Sequence, residues 1–164
     1  KIMIAMFAKY ILTICLFLGA SSLMANDSPA PSQEDSKTVM ITVTKWFSYI
    51  CSGFDQNIVD LYSSDVTFFS TSGDELITDL NGVSHYFAMN EEKFKNTNFD
   101  TCTLISPKIK IMSDSSVVVT GIDEFTGSNQ DGQNIVINGR QTFVPNKEGS
   151  HWKIVHHHRS KIPQ

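Results

Sequence analysis

The sequence predicts an α+β domain whose helices come first and cover one face of the antiparallel sheet that follows. Three observations predict it. Apolar residues recur at three- and four-residue spacing up to about residue 94, they alternate with polar residues from about residue 101, and short polar or glycine-bearing turns separate the alternating stretches.

The elements follow in order. A long amphipathic helix is expected from about Gln33 to Ser52, because Val39, Val43, Trp46, Phe47, Ile50 and Phe54 share one helical face. Ser32 followed by Asp35 resembles a capping box, and Gly53 ends the helix. A second, short helix over about Asp55 to Tyr62 buries Ile58, Val59, Leu61 and Tyr62. Val66 to Phe69 reads as a strand and Thr71-Ser72-Gly73-Asp74 as a turn. A third helix covers about Asn81 to Phe94, with Val83, Tyr86, Phe87 and Phe94 inward.

Strands fill the rest. Thr101 to Met112 is a long strand bent or bulged at Pro107, which cannot donate to a ladder. Val117 to Thr126 comes next, and Asn129-Gln130-Asp131-Gly132 is a hairpin signal leading into Ile135 to Val144. Pro145 to Gly149 then turns the chain into a final strand beginning at Trp152. Period two places Trp152, Ile154, His156 and His158 on its inner face, because the first two are the most apolar there. Lys153, Val155, His157 and Arg159 take the other face.

The N-terminus reads as an export signal: Lys1 and Lys9, an apolar run from Tyr10 to Gly19, and Leu23-Met24-Ala25 as a cleavage site. The run is shorter than the roughly 20 residues that span a bilayer, which sets it apart from an uncleaved anchor. Residues 1–25 are thus expected to be a signal peptide, 26–35 a flexible polar leader with two prolines, and 36–164 one domain. Without residues 1–25, which hold two lysines and no acid, 139 residues remain with 11 basic and 17 acidic side chains, a balance of −6. So acidic a domain, with Arg140 and Arg159 its only arginines, is not built for nucleic acid. After signal removal nothing calls for a membrane. Cys51 and Cys102 remain, either as a disulfide in an oxidising compartment or as two separate buried thiols.

Three segments together resemble a known family: Thr120-Gly121-Ile122-Asp123-Glu124-Phe125, Gly139-Arg140-Gln141-Thr142-Phe143-Val144, and Trp152 through Pro163. They are similar to bacterial members of the nuclear transport factor 2-like superfamily, in the branch of the calcium/calmodulin-dependent protein kinase II association domain. That domain ends in a comparable strand, matched here by Trp152, Ile154, Val155, His156, His158, Arg159 and Ser160. Asp60-Leu61-Tyr62 with Asp65-Val66, and Gly82 with Tyr86-Phe87, fit its helical half. The resemblance implies a cone: one long helix and two shorter ones packed on a strongly curved antiparallel sheet around a cavity. It also implies homodimers or rings formed through the sheet. It implies no kinase activity, because the chain lacks a Gly-rich phosphate loop and the kinase catalytic-loop signature.

The candidate ligand-binding residues are Trp46, Tyr62, Tyr86, Asp123, Arg140, His156 and His158. Trp46, Tyr62, Phe69, Tyr86 and Phe87 offer apolar walls, or simply core. Arg140, mid-strand among Ile, Val and Phe, offers a planar fork either to an anionic ligand or to Asp123 or Glu124 on the neighbouring strand. His156 and His158 present two imidazoles on one face, one ligand short of a transition-metal site unless Asp123 or His85 joins them; no metal and no cofactor is expected. A superfamily enzyme pairs an Asp or His base with a Tyr or His that stabilises an oxyanion; here Asp123, His156, His158 and Tyr86 are the available set. The expected function is an exported, self-associating domain that binds a small, possibly anionic, organic ligand without catalysis. The rivals are an isomerase, dehydratase or cyclase using His156 or Asp123, and a purely structural assembly module.

Overall fold

The computed structural model describes residues 33–162. The expected signal peptide, the leader up to Ser32 and the Ser32 cap lie outside the described residues. Helix α1, Gln33–Cys51, opens the fold, so the last three positions of the expected leader are helical. Its apolar stripe is buried as the spacing required, with Val39, Val43, Trp46, Phe47 and Ile50 between 0% and 4% exposed. The second helix tightens into a 3-10 turn, Gln56–Leu61, started by Asp55, whose carboxylate accepts from the Asn57 amide at 2.9 Å. Strand β1, Tyr62–Phe69, begins earlier than expected. Helix α2, Leu80–Lys95, is capped by Asp79, which accepts from the Gly82 amide at 2.7 Å. No helix among the described residues is long and apolar enough to cross a membrane.

Strands β2, Asn98–Ser113, β3, Ser116–Ser128, β4, Asn134–Glu148, and β5, His151–Lys161, complete one strongly curved sheet of order β1-β5-β4-β3-β2. Three successive hairpins make β2 to β5 antiparallel. β1 departs from the all-antiparallel expectation and pairs with β5 in parallel. It is joined to β2 through α2 rather than by a hairpin, so no tight turn fixes its direction. The β3–β4 hairpin forms at Asn129 to Gln133, with Gly132 at φ +73°.

The prolines behave differently from each other. Pro107 lies in the expected irregularity, where the β2–β3 register shifts between Ile105 and Lys108 and Ser106 takes φ +46°. Pro145 does not begin a turn: β4 continues to Glu148 and only Gly149, at φ +61°, and Ser150 reverse the chain. It is tolerated inside the sheet because it sits at the β4–β5 register shift, where a missing N–H breaks no regular ladder.

The helices cover one face, the inner one. Trp46 of α1 meets Phe143 on β4 at 5.6 Å, Phe47 meets Phe125 on β3 at 5.7 Å, and Tyr86 of α2 stands edge-on to Phe68 of β1 at 5.0 Å. Cys51 and Cys102 form a disulfide, Cα–Cα 5.6 Å, that ties the end of α1 to β2 across 51 residues. Closing a loop of that length restricts the unfolded chain, so replacing both cysteines by serine is expected to cost about 2–4 kcal/mol. Urea unfolding of the oxidised protein and the double variant measures it; equal midpoints would show the bridge to be thermodynamically silent.

Candidate functional site

The last strand changes phase at Val155. Val144 pairs with His156 but Pro145 with Ile154, which leaves Val155 as an extra residue opposite no partner. A bulge of one residue turns every later side chain to the other face. Trp152 and Ile154 point into the core as expected, at 4% and 0% exposure. Beyond the bulge it is His157 that is inward, at 0% exposure, while His156 is half-buried and His158 exposed on the outer face. The expectation of His156 and His158 inside and His157 outside is therefore reversed.

His157 is fixed on all sides. Its ring is stacked between Phe68, nearly parallel with centroids 4.6 Å apart, and Phe143 at 4.3 Å. Trp46 Nε1–H donates to the Tyr62 hydroxyl at 2.8 Å, the Tyr62 hydroxyl lies 2.8 Å from His157 Nδ1, and His157 Nε2 lies 2.5 Å from Gln141 Oε1. A carbonyl oxygen only accepts, so Nε2 carries the proton and Nδ1 accepts from Tyr62. Burial first, and then the charge of Arg159 and the neighbouring His156 and His158, hold His157 well below the ordinary imidazole range. Burial also pushes the Tyr62 hydroxyl well above its usual value. With both ring nitrogens engaged, this imidazole is a wall of the site and has no lone pair to offer a substrate. The Gln141 amide nitrogen beyond it is buried with no hydrogen-bond partner.

Two residues further on, Arg159 turns inward and takes Asp123. The pair is bidentate: Nε to Oδ2 at 2.7 Å and Nη2 to Oδ1 at 2.8 Å, with the carboxylate 0% exposed. Nη1 reaches Thr71 Oγ1 at 3.3 Å, and the guanidinium lies 5.4 Å over the Phe125 ring. Gly139 leaves room for this pair, since a Cβ there would stand 2.8 Å from Asp123 Oδ2. The sequence left Arg140 either to an anionic ligand in the cavity or to a pair with Asp123 or Glu124; Asp123 is taken by Arg159 instead, and Arg140 does not reach the cavity. On β4 the inward positions are Gly139, Gln141, Phe143 and Pro145, so Arg140 is exposed on the outer face beside Ile122.

Between α1, α2 and the sheet lies a cavity of about 120 Å³. Trp46, Phe68, Phe87, Phe94 and Phe125 give it aromatic walls; Tyr86, Thr71, Ser72 and Asn90 add neutral polar groups. Lys93, Arg159 and Lys161 also line it, and no Asp or Glu among the described residues does. Of the expected site residues, Trp46 and Tyr86 face the cavity, Tyr62 stands behind His157, and Asp123 holds Arg159 in place. Arg140, His156 and His158 are on the far side of the sheet, as is Phe69 at 45% exposure. The two histidines thus face away from Asp123, and no group of three or more His, Cys, Asp or Glu poised for a metal occurs among the described residues. Sequence reasoning missed His157, Arg159, Gln141, Lys93 and Lys161. Pro145 was the one available signal, because a proline inside a central strand marks a bulge.

Helices laid over one face of a curved, mostly antiparallel sheet, with a cavity between them, define the nuclear transport factor 2-like fold, and comparison with solved structures agrees. The chain is similar to a nuclear transport factor 2-like superfamily protein from Salmonella enterica, at 20% identity and TM-score 0.62, over 78% of this chain and 91% of that one. A protein described as a dehydratase of the same family from Streptomyces avermitilis matches at 14% identity and TM-score 0.68, over 81% and 100%. One described as a calcium/calmodulin dependent protein kinase II association domain, from Xanthomonas campestris, matches at 24% identity and TM-score 0.67, over 83% and 92%. No curated protein matches the chain. The family model of the calcium/calmodulin dependent protein kinase II association domain matches residues 35–163, nearly all of the described domain, and the chain belongs to that family.

Proposed function

We propose that this protein is an exported, non-catalytic domain that associates with itself and holds a small organic acid in the cavity between its helices and sheet. The observation that carries the ligand is the charge of the cavity: Lys93 and Lys161, with Arg159 held by Asp123 behind the wall, among aromatic walls and with no carboxylate of the described residues in the lining. Arg159 is oriented by Asp123 through Nε and Nη2, while Nη1 holds only the longer contact to Thr71 and is the donor freest to meet an anion. A volume of about 120 Å³ suits a compound of a few heavy atoms, somewhat less than the benzene-binding cavity of about 150 Å³ used as a yardstick.

Self-association is supported by membership of an association-domain family. Export to the periplasm or beyond is supported by the Cys51–Cys102 disulfide, a bond that persists in oxidising compartments, and by the order of charged, apolar and small residues at the start of the chain. The enzyme reading through His156 or Asp123 draws support from a dehydratase-described relative of the fold. Against it, Asp123 is committed to Arg159, His156 lies on the opposite face, and both nitrogens of His157 are engaged. The purely structural reading is disfavoured by a cavity that its own aromatics leave open.

Calorimetric titration with acetate, propionate and butyrate, each beside its neutral amide, tests the ligand. The acids are expected to bind and the amides not. Lys93→Met and Lys161→Met should each weaken the acids by about 1–3 kcal/mol, the scale of one charge-assisted hydrogen bond. Failure of every acid to bind would leave self-association as the function.

A further inference from the structure

At one end of the cavity a single covalent bond holds the walls together. Cys51, the last residue of α1, is bonded to Cys102 of β2. Ile50, immediately before Cys51, lines the cavity, and so does Phe125, the register partner of Cys102 on β3. Phe99, earlier on β2, is a further wall and meets Phe125 at 5.7 Å. Both cysteines are half-buried, so the bridge is not sealed inside the core.

The chain leaves α1 through a strained turn. Gly53 takes φ +82° and Phe54 takes φ +80°. Glycine adopts that region freely, but a phenylalanine stays there only while its surroundings hold it. Two attachments do so. On one side is the bridge at Cys51. On the other, the Phe54 ring stacks on Phe87 at 5.8 Å and on Phe94 at 6.2 Å, both of α2 and both walls of the cavity. The Asp55 amide donates to the Tyr49 carbonyl at 3.0 Å and closes the turn back on the helix. The bridge, the turn and the α2 wall thus form one continuous path of contacts. Phe54 is the element in it with two states, the left-handed one in its stack and an ordinary negative φ out of it.

We propose that the Cys51–Cys102 bond is a redox switch on the acid-binding cavity. Oxidised, it keeps Phe54 in its stack and the α2 wall in place. Reduced by a dithiol, it lets Phe54 relax to negative φ and the α2 wall loosen, so the acid is held less tightly. The ligand half of this rests on the cavity reading above; the movement does not. The chemistry balances with the dithiol alone. One of its thiolates attacks the Sγ of either cysteine and forms a mixed disulfide, and its second thiol then displaces that sulfur. The two electrons and two protons it gives up end on Cys51 and Cys102 as two thiols, and it leaves as its own disulfide. Without the bond only noncovalent contacts pin the end of α1 to β2, and the backbone cost of Phe54 favours release. Coupling is reciprocal, so an acid that prefers the oxidised form makes the bond harder to reduce by the same factor.

Amide hydrogen exchange and butyrate calorimetry on the purified protein, oxidised and after reduction by dithiothreitol, test the switch. Reduction is expected to speed exchange at least about tenfold in residues 53–57 and 89–95 and to leave residues 121–143 of the sheet unchanged. The butyrate Kd should rise about five- to tenfold, within the usual range of coupling between sites. Saturating butyrate should in turn shift the dithiothreitol midpoint by the same factor, about 30 mV more reducing for a tenfold change. Cys51→Ser/Cys102→Ser should match the reduced wild type. Phe54→Gly should bind butyrate weakly in both redox states, with no difference between them. Butyrate bound equally by the oxidised and reduced wild type overturns the switch. So does exchange that speeds equally in every element, which is the mark of a bridge that only stabilises the fold. Butyrate bound by neither form, with exchange in residues 53–57 and 89–95 still dependent on redox state, overturns the acid reading alone.

Discussion

Asp123→Ala is expected to cost about 3–5 kcal/mol of folding stability, the scale for removing one partner of a buried ion pair. The carboxylate is fully buried, and the Arg159 side chain it holds is only 14% exposed. Without it the guanidinium keeps one long contact to Thr71 and the face of Phe125, and two of its donors lose their acceptors. Urea unfolding at pH 7.5, followed through Trp46 and Trp152, measures the loss. Replacing both charges, as Asp123→Leu/Arg159→Met, should recover most of it, since a buried pair is worth little more than apolar residues of similar volume. A loss below about 1 kcal/mol in the single variant would mean that Arg159 swings out to water and is not held at the cavity wall.

How much of this was legible depends on where the sequence pattern was one-sided. α1 was readable because Val39, Val43, Trp46, Phe47 and Ile50 are large and apolar while the opposite face carries Lys37, Thr44, Lys45 and Ser48. The hairpin at Gly132 and the break at Pro107 were readable because each rests on one residue with special backbone chemistry. β4 was not. Ile135, Ile137 and Phe143 lie on one side of it and Val136 and Val144 on the other, so apolarity alone did not say which way Arg140 turns. β5 was misread for a different reason. Alternation was applied from Trp152 through His158 without a break, and a bulge that is created by pairing with β4 has no trace in β5 itself. Pro145, on the other strand, held the clue. One slipped residue therefore exchanged the faces of His157 and its neighbours and turned Arg159 inward.

His157→Leu is expected to destabilise the fold by about 3–5 kcal/mol, because it strands the Tyr62 hydroxyl and the Gln141 carbonyl in a dry core at roughly 1–3 kcal/mol each and opens a gap between Phe68 and Phe143. Tyr62→Phe alone should cost less, since it leaves Trp46 Nε1 and His157 Nδ1 unpaired but keeps the packing. The imidazole also sets a pH dependence whose sign follows from its environment. Its folded pKa lies well below 6.5, so between the two values the unfolded chain binds a proton that the folded chain refuses. Stability is then full above about pH 6.5 and falls as pH drops below it, by up to about 1.4 kcal/mol per pH unit while the carboxylates are still ionised. Urea midpoints between pH 8 and 5 should trace that fall in the wild type, and His157→Leu should flatten most of it. His156→Gln should remove only a small part, because His156 is half-exposed and its pKa is lowered far less. A wild-type profile that stays level down to pH 5 would mean that the folded core accepts the proton, which the closed chain from Trp46 through Tyr62 and His157 to Gln141 gives it no means of doing.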